Sequence, residues 1–196
     1  MNILFIDACI SNHTESRTKK LCEAYLQHCC AEGHTVTTVA LEKLGLQPLD
    51  ALKLKERDVR ISEGAYQDGM FDLARQFRDA DRVVVGAPYW DLSFPSVVKV
   101  YIEHLMINGL TFHYVDNEAV GLCHADKLVY IMSAGGYVGE CNFGYTYMKA
   151  IGQMMGIRDT ELICAQGLDI WGADVDKILE NTIAHSISVS AHDKTK

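Results

Sequence analysis

The chain has 196 residues, 48% of them apolar and 22% charged, with 18 Lys and Arg against 26 Asp and Glu for a formal charge of −8. That composition supplies a buried core for an ordinary globular protein. It lacks the dense basic run on which nucleic-acid binding depends, so no nucleic-acid partner is expected. The seven cysteines are odd in number, form no CxxC and sit mostly in apolar segments, the pattern of a reduced protein with small buried thiols. The opening "MNILFIDAC" has no basic leader and no cleavage site, and its apolar run is too short to span a bilayer. A cytoplasmic location without membrane attachment is therefore expected. No composition shift marks a boundary, so residues 1–196 are read as a single domain.

Apolar runs bounded by turn residues recur at 2–8, 35–41, 82–88, 127–134 and 161–168. Runs without polar alternation are those of strands buried on both faces. Between them lie segments of helical spacing: Leu21, Ala24, Tyr25 and Cys29; Phe71, Ala74 and Phe77; Val97, Val98, Tyr101 and Leu105; Met148, Ile151 and Met155; Ile178, Leu179 and Ile183. Strands alternating with helices of this length predict an α/β fold, a five-stranded parallel sheet covered by helices on both faces. Two excursions interrupt the alternation, a polar one from Gly45 to Gly69 and "GLTFHYVDNEAVGL" at 109–122, read as a short ribbon.

Ligands of open parallel sheets settle beyond the carboxyl ends of the strands, where strand order reverses. Three loops there carry the candidate chemistry. After the first strand, Ser11, Ser16, Arg17 and Thr18 surround a predicted helix start near Ser16, where free amides and the positive end of the helix dipole can hold a phosphate. The alternative for Ser16 or Thr14 is a plain helix cap. After the third strand, "APYWDLSFPS" sets Tyr89 and Trp90 between Pro88 and Pro95, placed to wall a flat ligand or else to pack. After the fourth, "SAGG" at 133–136 brings Ser133, Gly135 and Gly136, glycines that admit close approach of backbone to a ligand and tolerate positive φ. A phosphate seat, an aromatic slot and a glycine-lined polar edge on one side of one sheet describe a site for flavin mononucleotide (FMN). The dinucleotide GxGxxG and the P-loop GxxxxGK[ST] are absent. The eight histidines form no HxxxH or HExxH, so no metal site is expected.

Over nearly its whole length the chain resembles the flavodoxin-like family of FMN-dependent NAD(P)H:quinone reductases and azoreductases. The resemblance rests on "ESRTKKL", "APYWDLSFPSVVKVYIE", "GLTFHYVDNEAVGL" and "SAGGYVG" in that order. It implies a flavodoxin-like three-layer fold with sheet order 2-1-3-4-5 and FMN as cofactor with NADH or NADPH as electron donor. It also implies a homodimer with its active sites at the interface. Ser11, Ser16, Arg17 and Thr18 would surround the flavin phosphate. Pro88, Tyr89, Trp90, Asp91 and Leu92 would line the ring, and Ser133, Gly135 and Gly136 would meet its pyrimidine end. Asp91 stands where the family usually has Asn, and a carboxylate there would oppose negative charge on reduced flavin.

The activity implied is two-electron, ping-pong hydride transfer through flavin to a flat quinone or azo acceptor, with Tyr89, His113 and Tyr114 as candidates to orient the acceptor or relay a proton. The other readings are a flavodoxin-type electron carrier that docks to redox partners, and a binding module that has lost its flavin. The 45–69 excursion and the ribbon around Phe112 suit dimer and substrate walls better than a carrier surface.

Overall fold

The computed structural model describes residues 1–10 and 15–192, with side chains described through Ser188. The chain opens with strand β1 (Asn2–Asp7), helix α1 (Arg17–Ala31) and strand β2 (Thr35–Ala40). Helices α2 (Leu41–Leu44), α3 (Ala51–Ser62) and α4 (Asp72–Arg78) follow, the last entered through a 3-10 turn at Gly69–Phe71. Next come β3 (Arg82–Gly86), α5 (Ser96–Leu105), the strands β4 (Phe112–Val115) and β5 (Glu118–Gly121), then β6 (Lys127–Ser133), α6 (Phe143–Met154), β7 (Asp159–Ala165) and α7 (Val175–His192).

Five of the strands form one parallel sheet in the order β2-β1-β3-β6-β7. Counting only these strands the order is 2-1-3-4-5, as expected. The central strands are apolar on both faces, so their alternation serves two cores. On one face Leu4, Ile6, Val83, Val85, Leu128, Tyr130 and Met132 pack with Phe77 of α4, Val98 and Tyr101 of α5, and Met148 of α6. On the other, Ile3, Phe5, Val84, Val129 and Ile131 pack with Leu21, Cys22 and Tyr25 of α1 and Leu179 of α7. With each fully buried Val, Leu or Ile worth about 1.5–3 kcal/mol, β1, β3 and β6 are the part of the fold whose register is most strongly fixed.

The outer strands differ from the sequence reading. Thr35, Thr37 and Thr38 of β2 are exposed, and β7 is mostly half-buried, because an edge strand has only partial cover. The 45–69 excursion also holds more structure than expected. Asp50 caps α3 by accepting the Lys53 amide at 2.9 Å, yet α3 has no fully buried residue and leaves Leu52 80% exposed. Its Ile61 packs on a small satellite cluster of Phe71, Ala74, Ile107 and Leu110. The ribbon is an antiparallel hairpin, β4 with β5, turned through Asp116 and Asn117 at φ 51° and 68°. Among the described residues, no helix is long and apolar enough to cross a membrane.

Candidate functional site

A cleft of about 860 Å³ opens at the carboxyl ends of β1, β3, β6 and β7, lined by Ile10, Glu15, Ser16, Arg17, Thr18, Pro88, Tyr89, Trp90, Ser133, Gly135 and Asp169. It lies where the chain crosses from the β1–β2 side of the sheet to the β3–β6–β7 side, the switch point of a doubly wound fold.

At the first loop, Ser16 is the N-cap of α1: it is extended, and its side chain accepts the Lys19 amide at 3.2 Å. The capping alternative is thus realised, and the same residue lines the cleft. Capping serves one amide of the first turn. The amides of Arg17 and Thr18 have no intrahelical acceptor available by helix geometry, and they belong to residues of the cleft wall. Thr18 is 2% exposed and shares a 2.6 Å hydrogen bond between its hydroxyl and that of Ser133, which joins the first loop to the glycine loop. Arg17 donates to the Asp169 carboxylate at 2.6 Å. Glu15 pairs with Lys20 at 2.6 Å, and this bond holds its carboxyl below the usual range. Beneath the loop, Lys19 is ion-paired with Asp7, whose other oxygen accepts the Cys9 amide at 3.1 Å; the bond to Asp7 raises the Lys19 ammonium above its ordinary pKa. Ser11 lies outside the described residues.

At the second loop the backbone is anchored to the neighbouring strand: the amides of Ala87 and Tyr89 donate to the carbonyls of Ile131 and Ser133, both at 3.0 Å. Trp90 and Ser93 then close a tight turn through a reciprocal pair of bonds at 3.1 and 2.8 Å. Inside that turn Asp91 and Leu92 take φ of 49° and 65°. Asp tolerates the left-handed region where a γ-branched Leu does not, so the cost of the turn falls mainly on Leu92. The turn leaves Trp90 45% exposed at the cleft. The Tyr89 hydroxyl donates to the Cys141 carbonyl at 2.8 Å, and desolvation raises its pKa, which keeps it a neutral donor at neutral pH.

The third loop needs glycine for a reason other than the expected one. Neither Gly135 nor Gly136 takes a positive φ. A Cβ on Gly135 would stand 2.1 Å from Asp169 Oδ2, whereas one on Gly136 would meet nothing within 4 Å. Gly135 admits a carboxylate from the loop after β7, and Asp169 is locked beside it by donating its amide to the Gly135 carbonyl at 2.8 Å.

Of the residues singled out from sequence, Ser16, Arg17, Thr18, Pro88, Tyr89, Trp90, Ser133 and Gly135 converge on this cleft. Asp91, Leu92 and Gly136 sit in the adjoining turns and are not part of its wall. His113 and Tyr114 are elsewhere. Their hairpin roots at the amino-terminal end of the sheet, where Cys123 donates its amide to the Met155 carbonyl at 3.1 Å and Gly121 lies against Gly156, just ahead of β7. Asp169, Glu15 and Ile10 line the cleft without having been singled out. For Asp169 a signal existed, an acid in "GLDIWG" just past the fifth strand, on the edge where ligands collect.

The arrangement fits FMN. A capped helix start offers amides and the Arg17 guanidinium to a phosphate, Tyr89 and Trp90 offer a wall, and the volume falls within the roughly 300–1,000 Å³ of small-ligand sites. The two acids at the phosphate end are each neutralised by an ion pair, Glu15 by Lys20 and Asp169 by Arg17.

Comparison with known proteins agrees with this geometry. A family model described as flavodoxin-like fold matches residues 1–188. A Clostridium acetobutylicum protein named FMN-dependent NADH:quinone oxidoreductase 2 is 35% identical over 188 residues, covering 92% of this chain and 94% of its own. A Clostridium perfringens protein named FMN-dependent NADH:quinone oxidoreductase is 32% identical over 192 residues, covering 96% and 97%. An azoreductase from Bacillus anthracis superposes with a TM-score of 0.82 at 23% identity, over 96% of this chain and 97% of that one. A second Bacillus anthracis structure, an FMN-dependent NADH-azoreductase in complex with FMN, gives 0.82 at 22% identity over 97% and 98%. With the sheet order, the cleft at its switch point and a match over nearly the full length, the chain belongs to the flavodoxin-like fold family, alongside relatives named FMN-dependent NADH:quinone oxidoreductases.

Proposed function

We propose that this protein is an FMN-dependent NADH or NADPH oxidoreductase that reduces quinones or azo compounds by two electrons in a ping-pong cycle. The observation that carries the reading is the union, in one cleft of about 860 Å³, of a capped helix start, an aromatic wall and a glycine-bounded edge. The names of the relatives and the FMN complex of the Bacillus anthracis neighbour support the cofactor and the acceptor classes.

Bound flavin supplies hydride-accepting, two-electron chemistry that these side chains lack. The protein's part is to bind and orient. Ser16, Arg17 and Thr18 hold the phosphate end, and Ser11 is assigned there by family resemblance. Pro88, Tyr89 and Trp90 flank the ring, with Asp91 and Leu92 shaping the turn that presents them. Ser133 and Gly135, tied to the phosphate end by Thr18 and Asp169, border the cleft on the side where family resemblance puts the pyrimidine end, and Gly136 continues their turn outside the wall. Donor and acceptor take turns over the same exposed slot, which is the basis of the ping-pong order. The Tyr89 ring, fixed by the bond its hydroxyl donates to the Cys141 carbonyl, orients the acceptor.

His113 and Tyr114 lie away from the cleft of their own chain, and we assign their role to the cleft of a second copy in a homodimer. The hairpin and α3 carry exposed apolar side chains suited to such an interface, among them Leu52, Tyr114, Val115 and Val120. The unit that dimerises is the single flavodoxin-like domain 1–196. A cytoplasmic location agrees with seven free thiols.

Stopped-flow mixing tests the reading. Flavin absorbance should fall on mixing with NADH or NADPH and return on mixing with a quinone, and initial velocities should give parallel double-reciprocal lines. A flavin that the nicotinamide cannot reduce at a useful rate would indicate a carrier instead.

A further inference from the structure

Among the described residues that line the cleft, Arg17 is the only cation, and it is already engaged. Its guanidinium donates to Asp169 at 2.6 Å across 152 positions of sequence, from the start of α1 to the loop after β7. The seat of that carboxylate is built. The Asp169 amide donates to Gly135 at 2.8 Å, and the carboxylate fills the space that a Cβ at position 135 would need, 2.1 Å from its ideal position. Gly135 has no conformational demand for glycine, so what the missing side chain provides is room for this acid.

We propose that Asp169 is a specificity-determining residue, a built-in anion that holds Arg17 over the start of α1 and is exchanged for the flavin phosphate when the cofactor enters. The inference rests on the reading of the cleft as an FMN site. Three observations favour exchange over a permanent three-way bridge. The pair is partly exposed, 41% for the arginine side chain and 67% for the aspartate, and exposed ion pairs are weak and readily broken. A phosphate dianion carries more charge than a carboxylate and, like it, can pair bidentately with guanidinium. Among the described residues, the neighbouring groups are committed elsewhere: Glu15 to Lys20, the Thr18 hydroxyl to Ser133, and Lys19 to Asp7. A carboxylate left beside the phosphate would repel it, so the acid lowers affinity for the phosphorylated cofactor and acts on the phosphate alone.

The test is fluorescence titration of the flavin-stripped full chain with FMN and with riboflavin, for the parent, Asp169→Asn, Asp169→Ser, Arg17→Met and the Arg17→Met/Asp169→Asn double variant. Both Asp169 variants are expected to tighten FMN by about five-fold and to leave riboflavin unchanged. The gain should disappear in the Arg17→Met background. FMN binding that is unchanged or weaker in both Asp169 variants overturns the inference, as does an equal shift for riboflavin. A parent that binds neither flavin overturns the cofactor reading and this inference together, a result distinct from a parent that binds FMN while the Asp169 variants fail to tighten it.

Discussion

Gly86, the last residue of β3, sits one position ahead of the loop that walls the cleft, and Gly86→Ala tests how tightly that junction is packed. Its φ is not positive, so the substitution adds volume without backbone strain. The added Cβ would stand 2.4 Å from Cys22 Sγ, 3.0 Å from Phe5 Cε2 and 3.4 Å from Cys9 Sγ. Ordinary contacts between such atoms are about 3.5–4.0 Å, so the Cys22 sulfur must retreat by about 1 Å. Cys22 and Phe5 are 0% and 3% exposed, and β3 is paired on both sides, with Asp7 and Ile131 in register with Gly86, so neither side chain nor strand has free space to yield. Overpacking of this kind costs about 1–3 kcal/mol. For a chain of this size about 2 kcal/mol lowers Tm by roughly 4–8 °C. Urea unfolding of Gly86→Ala, Cys22→Ala and the double variant should show a favourable coupling of about 1–2 kcal/mol, since removing the Cys22 sulfur opens the space that the added methyl group requires. A Gly86→Ala protein within about 0.5 kcal/mol of the parent, or additive single effects, would refute the packing argument.

Three other outcomes follow from the same contacts. Thr18→Val removes a buried hydroxyl bonded to Ser133 at 2.6 Å; a loss of about 1–2 kcal/mol in urea unfolding, with weaker FMN retention, is expected because the first and third loops are no longer joined. Trp90→Ala, at a half-exposed position, should change stability by less than about 0.5 kcal/mol while weakening FMN roughly 2- to 10-fold by fluorescence titration. Lys19 has its pKa raised in the folded state by Asp7, so the stability it contributes is fully present below the unfolded value of about 10.4 and is lost as pH rises through the folded value. Urea midpoints measured from neutral to strongly alkaline pH should therefore fall less steeply for Lys19→Met than for the parent, and equal slopes would contradict the assignment.

Much of this architecture is readable in the residues. Strands β1, β3 and β6 announce themselves because burial on both faces removes polar alternation, and Ser16 marks the start of α1 because a hydroxyl there is a good cap. Helix α3 is hard to see for the opposite reason. With no buried residue and exposed Leu52 and Val59, it lacks the single apolar stripe that identifies an amphipathic helix. The role of Gly135 is invisible to local pattern because it depends on a contact with Asp169, in a loop more than thirty residues away. His113 and Tyr114 lie far from the cleft of their own chain although "GLTFHY" follows α5 directly, because α5 runs from the cleft end of the sheet to the far end and the hairpin starts there.

Whether the cleft binds FMN for reduction by a nicotinamide is decided by one visible spectrum. The purified chain is incubated with FMN, desalted, and mixed anaerobically with NADH or NADPH. About one retained flavin per chain, bleached on mixing, is expected. A desalted protein without flavin absorbance, or retained flavin that neither nicotinamide bleaches, would contradict that reading.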